Sequence, residues 1–215
     1  MAGLPDSRVL LVFDADSTLI DEEAIELLAE RAGSLEHVAR VTERAMRGEL
    51  DFAESLRERV ATLAGLDASV FAELQPRLTP TRGAREVVDA VHAAGGRVGV
   101  VSGGFHELLD PLAAELGLDH VRANRLEIAD GRLTGRTDGP VVDAEAKRTA
   151  LREWAEQGGI PRERTIAVGD GANDLRMLEA AGLGVAFCAK PLVRRHADVA
   201  IVDRDLAQLL PLIGR

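Results

Sequence analysis

Two carboxylates, Asp14 and Asp16, stand two residues apart directly after the apolar run RVLLVF of residues 8–13. A strand of that composition ends where the acids begin, and side chains at i and i+2 of an extended chain point to one side. One carboxylate so placed is able to attack an electrophile while the other carries a proton. Together they could instead hold a hard cation through oxygen. Read alone, residues 14–18 (DADST) equally fit a polar turn that caps the next helix. A second acidic stretch, Gly169-Asp170-Gly171-Ala172-Asn173-Asp174, follows another apolar run. Its glycines permit tight turning and close backbone approach, and Asp170 and Asp174 add oxygen ligands or orient them. Ser102-Gly103-Gly104 follows a third run, with a hydroxyl and backbone N–H groups that a helix N-terminus would aim at phosphate. Lys147 supplies a compact cation early in an expected helix, where it also reads as part of a solvated face.

Each signal alone has an ordinary structural account. All of them fall where one scaffold would bring them together. Phosphoryl transfer asks for a nucleophile, a divalent cation and donors around the equatorial oxygens, and these residues supply those parts.

The elements between them give the scaffold. Strands are expected over 8–13, 97–101, 120–123, 165–168, 183–187 and 199–202, with a hairpin of 126–128 and 132–134 through Asp130-Gly131. Helices are expected over 82–94, 105–116, 144–157, 174–181 and 206–212. Such alternation predicts an α/β fold, an open parallel Rossmann-like sheet with helices on both faces. A purely helical block (22–32, 35–46, 51–63) interrupts it after the first strand, with Asp51 and Ser34 as expected N-caps. Residues 1–20 and 81–215 therefore read as a core domain, and 21–80 as a small helical cap domain inserted into it. Ligands of such sheets bind outside the carboxyl ends of the strands, where the three polar junctions lie.

Composition narrows the partners. The 215 residues carry a formal net charge of -10, which argues against duplex nucleic acid or an anionic membrane surface. No apolar run approaches the roughly 18 residues that span a bilayer. One cysteine, Cys188, excludes an internal disulfide and a cysteine-based zinc site, and it reads as buried. A reduced, cytoplasmic setting is expected. Only Lys147 and Lys190 are lysines among 26 basic residues, and Lys190 reads as a surface group.

The four motifs, in this order, resemble those of the haloacid dehalogenase-like phosphatases: a D-x-D pair, a Ser after the second strand, a Lys, and a G-D-G-x-N-D loop. Residues 16–19, 100–105, 123–126, 167–174 and 186–191 are further similar to the members of that superfamily that hydrolyse O-phosphoserine. The likeness runs over essentially the whole chain. Ala15 departs from it, since a larger apolar residue is usual there. The resemblance implies Mg²⁺-dependent hydrolysis of O-phosphoserine, the last step of serine biosynthesis, through an aspartyl phosphate. It implies that Asp14 is the nucleophile and Asp16 the general acid and base, with Mg²⁺ on Asp14, the Asp16 carbonyl and Asp170. Ser102, Gly103, Lys147 and Asn173 would take the phosphoryl oxygens, and Asp174 would orient Lys147 or metal-bound water. From the cap, Glu23 would meet the substrate ammonium and Arg59 its carboxylate, with Met46 and Phe52 packed over the site. Glu23 and Arg59 by themselves also read as surface residues. The expected partner is a small phosphomonoester bound by a monomer or homodimer. Two other readings stay open: a phosphatase or phosphotransferase of this fold for another small phosphate, and a phospho-acceptor switch module, against which Asp16 and the helical block both weigh.

Overall fold

Leu10–Phe13 forms β1, and all four side chains are buried, as a continuous apolar run in a sheet covered on both faces requires. The computed structural model describes residues 8–46 and 49–214; the side chain of Met46 lies outside the described residues. The other strands are β2 (Arg97–Phe105), β3 (His120–Ala129), β4 (Arg132–Asp138), β5 (Thr165–Gly169), β6 (Leu183–Phe187) and β7 (Val199–Ile201). They form one sheet in the order β4-β3-β2-β1-β5-β6-β7. Only the β3–β4 pair is antiparallel among these neighbours. The chain leaves β1 toward β2 on one side and later fills β5, β6 and β7 on the other. The point of reversal therefore lies between the ends of β1 and β5.

The helices are α1 (Ala24–Ala32), α2 (Leu35–Met46), α3 (Phe52–Ala61), α4 (Val70–Leu74), α5 (Ala84–Ala93), α6 (His106–Leu116), α7 (Ala144–Gly158), α8 (Leu175–Ala180), α9 (Pro191–His196) and α10 (Leu210–Ile213). Leu11 and Phe13 of β1 join α5, α6 and the α1–α4 block in one apolar cluster. Leu10 and Val12 join α7, α8 and α9 in the other. The period-2 alternation of one short strand thus divides the core into two layers.

The helical block follows the expected positions closely. Asp51 caps α3 by accepting the Glu54 N–H at 2.7 Å. Ser34 does not cap with its side chain; its hydroxyl lies 2.9 Å from that of Thr62 instead. The short helices α4 and α9 were not expected. Proline at the first position of α9 presets its φ, a local signal too brief to register as periodicity. The block is also tied to the β3–β4 hairpin through backbone. Gly65 N–H donates to Leu133 C=O at 2.8 Å, Leu133 N–H to Leu66 C=O at 2.9 Å, and Ala68 N–H to Gly131 C=O at 2.8 Å.

Two elements run longer than their apolar cores. β3 continues from 120 to 129 through Asn124 and Arg125, pairing first with β2 and then with β4. Asp130 (φ 50°) and Gly131 (φ 74°) make the expected tight turn. β2 continues to Phe105, so α6 begins at His106 and Ser102–Gly104 belong to a strand end rather than a helix N-terminus. Two consecutive glycines disfavour helix, and the Ser102 hydroxyl accepts the Gly104 N–H at 2.8 Å. The register with β3 slips between Val101 and Phe105.

Candidate active site

Asp14 extends the central pairing one residue beyond β1: its N–H donates to the Val168 C=O of β5 at 2.9 Å. The chain then makes a wide turn over Ala15–Leu19, closed by Ile20 N–H on Ala15 C=O at 3.0 Å, with Asp16 in extended backbone. Ser17 within it adopts φ 57°, a conformation that a side chain makes unfavourable. Arg204 holds the turn from the far end of the chain. Its guanidinium donates to the Asp21 carboxylate at 2.5 Å, the Ser17 C=O at 3.2 Å and the Ile20 C=O at 3.1 Å. Asp16 is thereby turned back toward Asp14's end of the sheet, where its carboxylate accepts the Ala24 N–H at the start of α1 at 3.2 Å. Ala15 is wholly buried.

Beneath Asp14 lies Lys147, without solvent exposure. Its ammonium is 2.7 Å from Asp14 Oδ1 and 2.7 Å from Asp174 Oδ1. Asp174 Oδ2 accepts the N–H groups of Asp170 and Gly171 at 3.1 and 3.0 Å. That carboxylate therefore joins the lysine to the acidic loop. It rests against Gly169, where a Cβ would come 2.5 Å from it, so only glycine leaves room at the end of β5. Burial works against the Lys147 charge, but the Asp14 and Asp174 carboxylates outweigh it and hold the ammonium above its ordinary pKa. Burial, with Glu23 nearby, pushes the Asp16 carboxyl up to about 7. Burial, then Asp174 and Glu23, raises Asp170 to about 6.

A cavity of about 570 Å³ opens above these groups, between the strand ends and the helical block. Asp14, Asp16, Gly103, Asp170 and Asn173 line it from the sheet side; Glu23, Phe52 and Arg59 line it from the helices. Lys147, Ser102 and Asp174 sit buried behind that wall. Arg59 is half-buried; burial lowers its pKa, while Glu23, Asp16 and Glu26 pull the other way. Of the expected site residues, only the Met46 side chain lies outside the described residues.

Asp14, Asp170 and Asp174 each bring a carboxylate oxygen within 4.8 Å of the others, a cluster capable of holding a metal ion. An all-oxygen donor set suits a hard divalent cation. Both Asp174 oxygens are already engaged, which leaves Asp14 and Asp170 as the better ligands.

Four residues carry roles or environments that their sequence context does not announce. Arg204 carried no local signal, because its partners lie more than a hundred positions upstream. Lys190 remains exposed but stands on the cavity wall, beside the loop whose Asp170 C=O accepts its backbone N–H at 3.3 Å. Cys188 is half-buried rather than buried. Asn124, 1% exposed, was quoted only as part of a motif. Its side chain donates to the Gly103 C=O at 2.8 Å and accepts the Val142 N–H at 2.9 Å, fixing the strand end beside Asp14. Asn124→Ala orphans the buried Val142 N–H and frees the half-buried Gly103 C=O, and is expected to cost about 1–3 kcal/mol, read from urea unfolding midpoints. A loss below about 0.5 kcal/mol would show that these two bonds do not hold the strand end.

A family model described as haloacid dehalogenase-like hydrolase matches residues 11–179. A phosphoserine phosphatase of Streptococcus thermophilus is 52% identical over 210 residues, covering 98% of each chain. The phosphoserine phosphatase SerB2 of Mycobacterium tuberculosis is 56% identical over 208 residues, 97% of this chain, which spans about half (51%) of that longer protein. A solved structure described as a phospho-aspartyl intermediate analogue of phosphoserine phosphatase superposes with a TM-score of 0.90 at 44% identity, covering 95% of this chain and 98% of that one.

Proposed function

The chain belongs to the haloacid dehalogenase-like hydrolases, and from that premise we propose that it hydrolyses O-phosphoserine to serine and phosphate through a phosphate ester of Asp14, completing serine biosynthesis. One juxtaposition carries the reading. A carboxylate pinned by a buried lysine faces one end of the cavity, and the opposite charges of Glu23 and Arg59 stand on its helical wall. A zwitterionic phosphomonoester has the complementary charges, with a bidentate Arg–carboxylate contact for specificity.

Asp14 Oδ1 is engaged by Lys147 and by the Ala15 N–H at 2.7 Å, which leaves Oδ2 to attack phosphorus. As the new O–P bond forms, the bond from phosphorus to the serine oxygen breaks and Asp16 gives that oxygen its proton. Asp16 then takes a proton from water, which attacks phosphorus and releases phosphate from Asp14. Lys147 opposes the charge on the transferring group, together with the Gly103 backbone and Asn173. The Ser102 hydroxyl accepts from Gly104, so its own proton remains to be donated to a phosphoryl oxygen. Asp14, the Asp16 carbonyl and Asp170 would hold a magnesium ion, which when bound would supply charge neutralisation for the transferring phosphoryl group. In this reading residues 21–80 form a cap over a core of 1–20 and 81–215 and keep water from the reacting centre. No helix among the described residues is long and apolar enough to cross a membrane, and we place the reaction in the cytoplasm.

Phosphate release from phosphoserine, phosphothreonine and an aryl phosphate tests the proposal directly. Turnover of phosphoserine is expected to be the fastest, to vanish with a chelator and to return with Mg²⁺. No release from any of the three with Mg²⁺ present sinks the reading. Arg59→Ala should lower kcat/KM for phosphoserine by about 10- to 100-fold, the worth of a charge-assisted hydrogen bond. The aryl phosphate, lacking a carboxylate, should change by less than about threefold. An equal loss on both removes Arg59 from substrate recognition.

A further inference from the structure

Helix α3 turns one stripe of side chains toward the cavity: Phe52, Ser55, Leu56 and Arg59. The spacing i, i+3, i+4, i+7 is that of a single helical face. Phe52 lies against the strand end, so close that a Cβ at Gly103 would come 2.7 Å from its ring. Arg59, a turn further along, donates its Nε proton to the Ser55 C=O at 3.2 Å, which leaves its terminal nitrogens for the cavity. Between them sits Ser55, 1% exposed. Its hydroxyl has no hydrogen-bond partner among the described residues. The backbone of the same residue is satisfied, its N–H donating to the Asp51 C=O at 2.9 Å. A serine in a helix usually settles its hydroxyl on the carbonyl four residues back. Here it does not, although leaving a buried hydroxyl unpaired is unfavourable. The residue lines the cavity.

This inference rests on phosphoserine being the substrate. We propose that the Ser55 hydroxyl is a specificity-determining donor that hydrogen-bonds the substrate carboxylate beside the Arg59 guanidinium. Residues four apart on a helix are neighbours, so one carboxylate reaches both groups. Arg59 supplies two parallel N–H donors and the charge. Ser55 supplies a further donor without adding a second cation, and it is paired only when a carboxylate is present. Glu23, whose charge faces Arg59, remains the acceptor for the ammonium. A ligand without a carboxylate leaves the hydroxyl unpaired and gains nothing from it.

Ser55→Ala separates this role from a structural one. The measurements are the KM and kcat for phosphoserine, the inhibition constant of inorganic phosphate against that turnover, and the melting temperature of the ligand-free protein. The KM should rise about 10-fold, the worth of a hydrogen bond to a charged group. The kcat should stay within about twofold, as for contacts equally strong in ground and transition states. Inorganic phosphate, which has no carboxylate, should inhibit as before. Melting should hold or rise, because the unpaired hydroxyl is gone. An unchanged KM, an equal weakening of phosphoserine and phosphate, or a lower melting temperature overturns the proposal alone. Failure of the unsubstituted chain to turn over phosphoserine overturns the substrate reading, and this proposal with it.

Discussion

Asp14→Asn is expected to leave the fold standing and to lower kcat for phosphoserine by about 10⁴-fold or more, the scale seen when a nucleophile is removed from an enzyme whose other groups remain. Asparagine has the shape of aspartate and keeps a side-chain oxygen that still accepts from Lys147 and from the Ala15 N–H, now both on Asp14 Oδ1. The Val168 C=O that anchors this residue to β5 is met by backbone and is untouched. What is lost is the anionic oxygen that bonds to phosphorus. Lys147 keeps its second partner, Asp174 Oδ1, at 2.7 Å, so melting should shift by only a few degrees. Acid quenching with phosphoserine labelled in its phosphate reads the chemistry directly. The unsubstituted protein should carry label on the chain and the variant none. Turnover within about tenfold of the unsubstituted protein would reject covalent catalysis through Asp14.

The sequence carried the parts of this site whose signals are local. Phe13→Asp14 and Val168→Gly169-Asp170 mark the ends of two apolar runs, and the sheet pairs those runs side by side, Phe13 opposite Val168. Strand–helix alternation was enough to predict a parallel sheet with the polar junctions at its strand ends, but not the strand order, whose reversal point between β1 and β5 depends on pairing across the sheet. The groups that hold the site together over long separations left no such trace. Arg204 reaches the turn of Ala15–Leu19 from the other end of the chain. Asn124 stood beyond the short strand expected over 120–123, yet β3 continues through it, and its two bonds reach Gly103 and Val142. The assumption that Ser102–Gly104 opens a helix failed for a local reason too. Glycines are permissive in either state, and the Ser102–Gly104 bond satisfied the backbone without one. Nor did periodicity distinguish Ser55 from its neighbours, because its meaning depends on an absent partner rather than on a pattern.

Lys147→Met should be the most destabilising single change at this site. Methionine has nearly the length of lysine and fills the same buried volume, so no cavity term enters. The change removes the cation that two buried carboxylates share, Asp14 at 5% exposure and Asp174 at 0%. Breaking a buried ion pair from one side costs about 3–5 kcal/mol, because the remaining charge is left uncompensated in a low-dielectric place. For a chain of this size that is roughly 6–20 °C in Tm. Asp174 has additional donors, the N–H groups of Asp170 and Gly171, so Asp14 is the more exposed to the loss. It follows that Asp14→Asn, neutral in itself, should recover stability in the Lys147→Met background although it slightly destabilises the unsubstituted chain. A double-mutant cycle on metal-free protein reads this as a coupling of about 1–3 kcal/mol. A Lys147→Met variant that melts within about 2 °C of the unsubstituted protein would show that the lysine does not neutralise the pair. Additive losses in the cycle would show that Asp14 and Lys147 act independently, and the pinned nucleophile on which the proposed chemistry stands would then have no electrostatic basis.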